Sequence, residues 1–420
     1  MKFLYGIFIR IYGTAIRIAA LFNPKAKLWI KGREGFFKDL NTHDFSGDWY
    51  WFHTASLGEY EQAKPVISAL RKKHKNLKFL VTFFSPSGYE VRKKDPLADL
   101  VLYLPLDTNN NAKSFVKTIK PKLAVFVRYE FWPNFMDALF EAKIPTAVMA
   151  ANFREDQFMF KPLGGFILNR IKRLNAVMVQ TDKAKALLLN NGFQASKISV
   201  SGNSRIDQVI QIAATSPENK IIAEFTTPSR SSSEAMENPR TLILGSCYAQ
   251  EESFTYDLIK KHPDLKIIIA PHYIDNENVT RLQKALPVKS IRYSEIKNQD
   301  LAATQVLVLD TMGMLSSLFK YADFALIGGG FKDGIHSILE PASSFLPLFF
   351  GPRHQPFPEA KALIDLGGAF EINSKQDFEK AFENIYQNNS AYQNCSSAIK
   401  GYMGSQKGAT DKIVGVLEAL

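Results

Sequence analysis

The segment ADFALIGGGFKDGIHSILEPASSFLPLFFGPRHQPFPEA, residues 322–360, decides the fold. A short apolar run, Phe324–Ile327, enters three glycines, Gly328, Gly329 and Gly330. A loop then leads to His336, a helix is predicted to start near Ser337 and to contain Glu340, and a second apolar run, Leu346–Phe350, follows. Strand, turn, helix and strand in this order form the unit of a parallel sheet with crossover helices. Glycine backbone beside a helix start suits the phosphate of a nucleotide, and a carboxylate one turn into the helix can accept both ribose hydroxyls. A glycine run by itself marks only a turn.

Working outward, the same alternation covers most of the chain. Strands are predicted at Trp49–His53, Phe79–Phe84, Leu100–Tyr103, Leu123–Val127, Pro145–Ala150 and Ala176–Gln180, then at Thr241–Gly245, Leu265–Ala270, Val306–Leu309 and the two runs above. Amphipathic stretches such as Glu59–His74, Asn109–Ile119 and Phe135–Ala142 lie between them. The pattern thins at 214–240, which is rich in Ser, Pro, Asn and charge and reads as a linker. The expected architecture is α/β: two Rossmann-like domains, 41–213 and 241–420, preceded by a basic apolar segment at 1–40. The final helix is free to pack back on the first domain. Ligands of such sheets sit at the carboxyl ends of the strands, and with two halves the expected site is a cleft between them.

Composition narrows the classes. The 420 residues are 46% hydrophobic and 22% charged, as in a folded globular protein. Two cysteines, Cys247 and Cys395, cannot build a disulfide framework or a four-ligand zinc site. The net charge of +11 is concentrated: residues 1–40 carry eight basic side chains against Glu34 and Asp39. The first 22 residues, MKFLYGIFIRIYGTAIRIAALF, are apolar but interrupted by Arg10 and Arg17. Central arginines cost a membrane span roughly 2.5–3.5 kcal/mol each, and the small-residue cleavage site of a secretory signal is not evident. An interfacial helix tolerates them by turning them toward anionic headgroups; a span and an ordinary docked helix remain alternatives. Charge beside an apolar helix fits an anionic membrane surface better than nucleic acid.

Three further stretches carry chemistry. In WFHTASLGEYEQAKPVISAL, 51–70, a strand ends at a small-residue turn containing Ser56 and Gly58, and Glu59 falls in the first turn of the next helix. That carboxylate either favours the helix dipole alone or serves a site. In VFVRYEFWPNF, 125–135, Arg128, Glu130 and Trp132 crowd a strand end, as a buried ion pair under an aromatic lid or as part of a site. In VSGNSRIDQV, 200–209, Arg205 follows a strand end and Gly202.

HTASLGEYEQ, EFWPN, SGNSR, APH at 270–272, DTMG at 310–313, the GGG…H…LEPA run and FGPRHQPF together resemble, in order and over nearly the whole chain, the motifs of the Kdo transferases. These enzymes move 3-deoxy-D-manno-octulosonic acid (Kdo) from CMP-Kdo onto a lipid A precursor. The resemblance implies the GT-B glycosyltransferase architecture, an inverting reaction, and an inner-membrane location with the catalytic domains facing the cytoplasm. It implies Glu59 as general base and Glu130 and Arg205 as transition-state stabilisers. It places nucleotide contacts at Pro271, His272, Met312, Gly313, Met314, Ser337, Ile338, Leu339 and Glu340. Further site positions are Ser56, Gly58, Ser246, Glu251, Gly328, Gly329 and His336. The chain departs from the family at Arg205 for Lys, His272 for Arg, Met314 for Glu, Ser337 for Asn, and Arg128 where another Glu is common. No Asp-x-Asp occurs and CMP carries one phosphate, so neither metal nor other cofactor is expected. The alternative is another GT-B nucleotide-sugar enzyme, a different transferase or a UDP-sugar epimerase.

Overall fold

The computed structural model describes residues 1–226, 240–297 and 299–420. It divides into two compact units, residues 1–207 with 408–420, and residues 208–407. Each is built on a seven-stranded parallel sheet. In the first unit the strands are β1 Trp49–Thr54, β2 Lys78–Phe83, β3 Leu100–Tyr103, β4 Leu123–Val127, β5 Thr146–Ala151, β6 Ala176–Val179 and β7 Ile198–Val200, in the order β3-β2-β1-β4-β5-β6-β7. In the second they are β8 Thr241–Cys247, β9 Lys266–Pro271, β10 Ser290–Arg292, β11 Val306–Val308, β12 Phe324–Ile327, β13 Leu348–Phe350 and β14 Ala369–Glu371, in the order β10-β11-β9-β8-β12-β13-β14. The central strands are buried on both faces, which is why they read as near-continuous apolar runs.

The units do not divide where composition thins. The stretch read as a linker contains the helix Lys220–Thr226, whose Ile222 and Phe225 are fully buried, and Asn219 before it donates its backbone N–H to Tyr321. The remainder of that stretch, 227–239, lies outside the described residues. The helix Ala409–Glu418 belongs to the first unit: Asp207 accepts the N–H groups of Gly408 (2.7 Å) and Thr410 (2.6 Å), and Ile413, Val414 and Leu417 enter that unit's core.

Residues 1–40 are part of the first unit as helices α1 Lys2–Ala19, α2 Pro24–Lys31 and α3 Phe36–Leu40. Ile9 and Gly13 of α1 are buried, and Tyr5 donates to Asp107 at 2.7 Å. Lys2 pairs with Asp137, which Arg170 grips through two bonds of 2.8 Å. Arg33 is held without a carboxylate partner among the described residues. It donates to the carbonyls of Leu104, Trp29 and Phe84 and lies 3.7 Å over the Trp29 ring; burial lowers its pKa to about 9. The opposite face of α1, with Phe3, Leu4, Ile7, Phe8, Ile11 and Ile18, is exposed. Among the described residues no helix is long and apolar enough to cross a membrane.

Asp107, fully buried, ties these pieces together. Besides Tyr5 it accepts the N–H groups of Asn134 (3.1 Å) and Phe135 (3.0 Å), the open start of the helix Pro133–Glu141. Burial raises its carboxyl to about 6. Asp107→Asn turns an amide N–H₂ toward groups that are all donors and is expected to destabilise the first unit by about 2 kcal/mol. A folded pKa above the ordinary value of 3.8 means that the carboxyl's contribution is full at acid pH and is lost as pH rises through about 6. The deficit of the variant is therefore largest near pH 4 and smaller at pH 7. Trp29, Trp49, Trp51 and Trp132 all lie in the first unit, so urea unfolding followed by tryptophan fluorescence reads it alone. A deficit that stays constant or grows with pH contradicts this account.

Candidate functional site

In the first sheet the chain leaves β1 toward β2 on one side, while β4 adds on the other. This reversal of strand order, where open α/β sheets place their ligands, opens a crevice beyond the carboxyl ends of β1 and β4. After β1, Ser56 caps the helix α4, Leu57–Lys73, and Glu59 closes a capping box. Glu59 Oε2 accepts from the Ser56 N–H (2.7 Å) and hydroxyl (2.9 Å), while Oε1 makes no hydrogen bond among the described residues. Burial raises the Glu59 pKa, the nearby charge of Glu130 raises it further, and the Ser56 bonds and Arg128 oppose them.

After β4, Arg128 adopts a left-handed backbone (φ +64°), and its buried Nε has no hydrogen-bond partner among the described residues. Glu130 Oε2 lies 3.7 Å from His53 Nε2, beyond hydrogen-bond range. The nearer partner of that nitrogen is Trp132, whose indole N–H donates to it at 2.9 Å. An imidazole that accepts at Nε2 must carry its proton on Nδ1, which then donates to Thr82 Oγ1 at 2.9 Å; the same oxygen accepts from Trp51. His53 is thereby fixed neutral in one tautomer. Arg205 stands at the start of the helix Ser204–Thr215, and the preceding Ser204 hydroxyl donates to the Gln62 carbonyl of α4 at 2.6 Å. The helix starts carrying Glu59 and Arg205 are therefore tied together.

The second sheet reverses between β8 and β12. Ser246, at a register shift in β8, is left-handed (φ +53°). Gly328 after β12 passes so close that a Cβ there would lie 2.3 Å from the Ser246 carbonyl oxygen. Glu251, 1% exposed, bridges the two loops by accepting from Tyr248 N (3.0 Å) and Gly329 N (2.9 Å). Three rings stack nearby: Tyr248 on His272 at 4.6 Å, and His272 on His336 at 4.8 Å. Burial lowers the pKa of both histidines, with Lys332 acting further on His272 and His272 on His336. The positive charge here is Lys332, whose Nζ lies 4.5 Å from the Tyr248 ring centre. A cavity of about 210 Å³ is lined by Ser246, His336, Ser337 and Glu340, among others, and the His336 Nε2 and Ser337 Oγ atoms are buried with no hydrogen-bond partner among the described residues.

The sequence-predicted positions thus separate. Ser56, Gly58, Glu59, Glu130 and Arg205 belong to the first unit; Ser246, Glu251, Pro271, His272, Gly328, Gly329, His336, Ser337 and Glu340 surround the second unit's reversal point. Ile338 and Leu339 are buried packing residues, 2% and 5% exposed. The Met312 side chain is 85% exposed, and Met312, Gly313 and Met314 do not line the cavity, which is closed there by Leu315 and Ser316. The helix expected near Ser337 begins at Leu339 and spans five residues, so its dipole is short. Charge at position 272 is not kept, since burial and Lys332 favour neutral imidazole. His53, Tyr248 and Lys332 escaped the sequence reading. A polar side chain closing the aromatic run WYWFHT is the signal that marks His53. Among the described residues no group of three or more His, Cys, Asp or Glu side chains is placed to hold a metal ion.

Two parallel sheets, each with polar side chains gathered at its reversal point, define an α/β protein of the GT-B type. The UDP-GlcNAc 2-epimerase of Neisseria meningitidis shares this fold at TM-score 0.63, with 16% identity over 89% of this chain and 100% of that one. Sequence is more specific. Residues 29–208 match the family described as 3-deoxy-D-manno-octulosonic-acid transferase (kdotransferase). The 3-deoxy-D-manno-octulosonic acid transferase of Haemophilus influenzae is 25% identical over 96% of this chain and 94% of its own length. That of Chlamydophila psittaci is 28% identical over 76% and 72%. The chain is a glycosyltransferase with a Kdo transferase domain, related to the Kdo transferases over most of its length.

The His53 tautomer is directly measurable. Nitrogen-15 NMR at neutral pH is expected to show Nε2 unprotonated and Nδ1 protonated. Trp132→Phe removes the indole donor, so the Nε2 signal should move toward the protonated form as the ring turns its proton to Glu130. An Nε2–H in the native protein contradicts the assignment.

Proposed function

We propose that the protein transfers Kdo from CMP-Kdo to a hydroxyl of a lipid A precursor with inversion. The observation that carries this reading is the Glu59 carboxylate: one oxygen is spent on the helix cap, and the other is open at the reversal point of the first sheet. Capping and proton acceptance therefore do not compete. Oε1 takes the proton of the acceptor hydroxyl as its oxygen bonds to the anomeric carbon of Kdo, and the bond from that carbon to the CMP phosphate oxygen breaks. A raised pKa makes Glu59 a better proton acceptor. Glu130 and Arg205 act on the charge that develops in transfer, Glu130 facing the cationic sugar carbon. In the second unit the nucleotide binds at the cavity edged by Ser246, Ser337 and Glu340, with Glu340 accepting the ribose hydroxyls. Lys332 supplies the cation beside the departing phosphate that His272, neutral, does not. The protein lies peripherally on the cytoplasmic face of the inner membrane, with the outer face of α1 against the lipid. Exposure of that apolar face along a helix docked by its other side supports this placement.

Incubation with CMP-Kdo and a tetraacylated lipid A precursor, followed by mass spectrometry, tests the activity; a product without added Kdo refutes it. Glu59→Gln keeps the cap and is expected to lower turnover about 10²–10⁴-fold with CMP affinity nearly unchanged. Because the base must be ionised, native turnover rises with pH through the Glu59 pKa. Arg128→Leu removes the cation that lowers this pKa and should move the rise to higher pH. Near-native transfer by the Gln variant sinks the assignment.

The membrane reading has its own measurement. Deleting α1 would strip Tyr5 and Ile9 from the core, so the outer face is the cleaner target. Phe3→Ser, Phe8→Ser and Ile11→Ser together should abolish sedimentation with vesicles containing phosphatidylglycerol while leaving thermal unfolding unchanged. Undiminished sedimentation contradicts it.

A further inference from the structure

Between β4 and the helix Pro133–Glu141 runs one short loop, RYEFW at 128–132, whose first two residues are pinned to the end of β5. The Arg128 N–H donates to the Met149 carbonyl at 2.9 Å. The Tyr129 hydroxyl donates to the Asn152 carbonyl and accepts the Asn152 N–H at 3.0 Å. Arg128 is also a non-glycine residue in the left-handed region, a conformation that persists only where its surroundings determine it. The backbone of this arginine is thus fixed, while its guanidinium is left over. It lies 5.7 Å from the Tyr129 ring centre, makes no hydrogen bond or ion pair among the described residues, and has its Nε buried. An arginine held by its backbone with its fork of donors unspent matches a planar carboxylate, which takes two parallel bonds.

The same crevice carries Glu59 and Glu130, whose charges act on one another. Kdo is a 2-keto sugar acid, so its carboxylate is bonded to the anomeric carbon at which transfer occurs. Bringing that carbon to Glu59 Oε1 sets a third carboxylate beside two others, and at short range such charges repel unless a cation is paired with one of them. We propose that Arg128 is a specificity-determining residue for the donor sugar: its guanidinium grips the Kdo carboxylate through two hydrogen bonds. The assignment rests on the reading of Glu59 as the base. A phosphate on the acceptor is the other anion to consider, but only the sugar carboxylate is tied by a single bond to the reacting carbon. Pairing also withdraws the Arg128 charge that lowers the Glu59 pKa, so the base strengthens as the sugar acid arrives.

Equilibrium binding without acceptor tests this apart from transfer. Calorimetry on the full chain gives the dissociation constants of CMP-Kdo, its C1 carboxamide and CMP. The native protein should bind the acid at least about tenfold tighter than the carboxamide. In Arg128→Gln that preference should fall below about threefold, with CMP affinity and thermal unfolding unchanged. Equal binding of acid and carboxamide by the native protein overturns the proposal without any variant, and so does a full preference kept by the Gln variant. The base reading is judged separately, by turnover of Glu59→Gln. If that variant transfers normally, Glu59 is not the base, while a preference that depends on Arg128 still supports recognition of the carboxylate there. CMP binding with no preference for the acid leaves the nucleotide site standing and removes the role of Arg128; no binding of any of the three sinks both.

Discussion

A buried carboxylate holds the first unit in register. Burying Asp107 away from water is costly, and its three donors, Tyr5, Asn134 and Phe135, recover part of that cost only when they meet it at once. Those donors come from the N-terminal helix and from the start of the helix that follows EFWPN. The position of Glu130 and Trp132 after β4 is therefore not independent of α1. Trp132 in turn fixes the His53 proton, and His53 closes β1 just ahead of the turn that carries Glu59. Hydrogen bonds thus join the N-terminal helix to the start of the helix Pro133–Glu141, and Trp132 to His53, three residues ahead of the Ser56 cap.

The two sheets solve the same problem with different chemistry. Each places a non-glycine residue in the left-handed region at its reversal point, Arg128 in the first unit and Ser246 in the second. Such a backbone costs of the order of 1–3 kcal/mol and persists where its surroundings determine it. In the first unit the loop presents charge: two carboxylates, an arginine and a fixed imidazole. In the second it presents close-packed backbone and flat rings, with Gly328 against Ser246 and the Tyr248–His272–His336 stack. Fixed rings and backbone suit recognition of a nucleotide, and a carboxylate with one free oxygen suits proton transfer.

The central strands were legible because a parallel strand buried on both faces is an uninterrupted apolar run; Leu100–Tyr103, Leu123–Val127 and Phe324–Ile327 have the predicted bounds. Strands β10 and β14 were not seen, and only the end of β7 was. All three are three-residue edge strands, too short for a periodic signal, and defined by the neighbour they pair with. At the site, Ser56 and Glu59 were readable because a capping box is local. Arg205 was readable only as a cation after a strand, since its place beside α4 depends on a contact between Ser204 and Gln62, 142 residues apart. The neutrality of His272 was illegible for the same reason: Tyr248, His336 and Lys332, which set it, come from other loops.

The helix Ala409–Glu418 lies against α4 and fills the flank of the first sheet with Ile413, Val414 and Leu417, while Glu418 pairs with Lys73 and His74. A chain made from its N-terminus emerges from the ribosome with the seven strands of that sheet long before this helix exists. About two hundred intervening residues form the second unit, which is continuous and can fold in a single pass. The first unit, although synthesised earlier, is completed later, with an apolar strip beside α4 uncovered throughout. Its nascent form is thus the one with work for a chaperone.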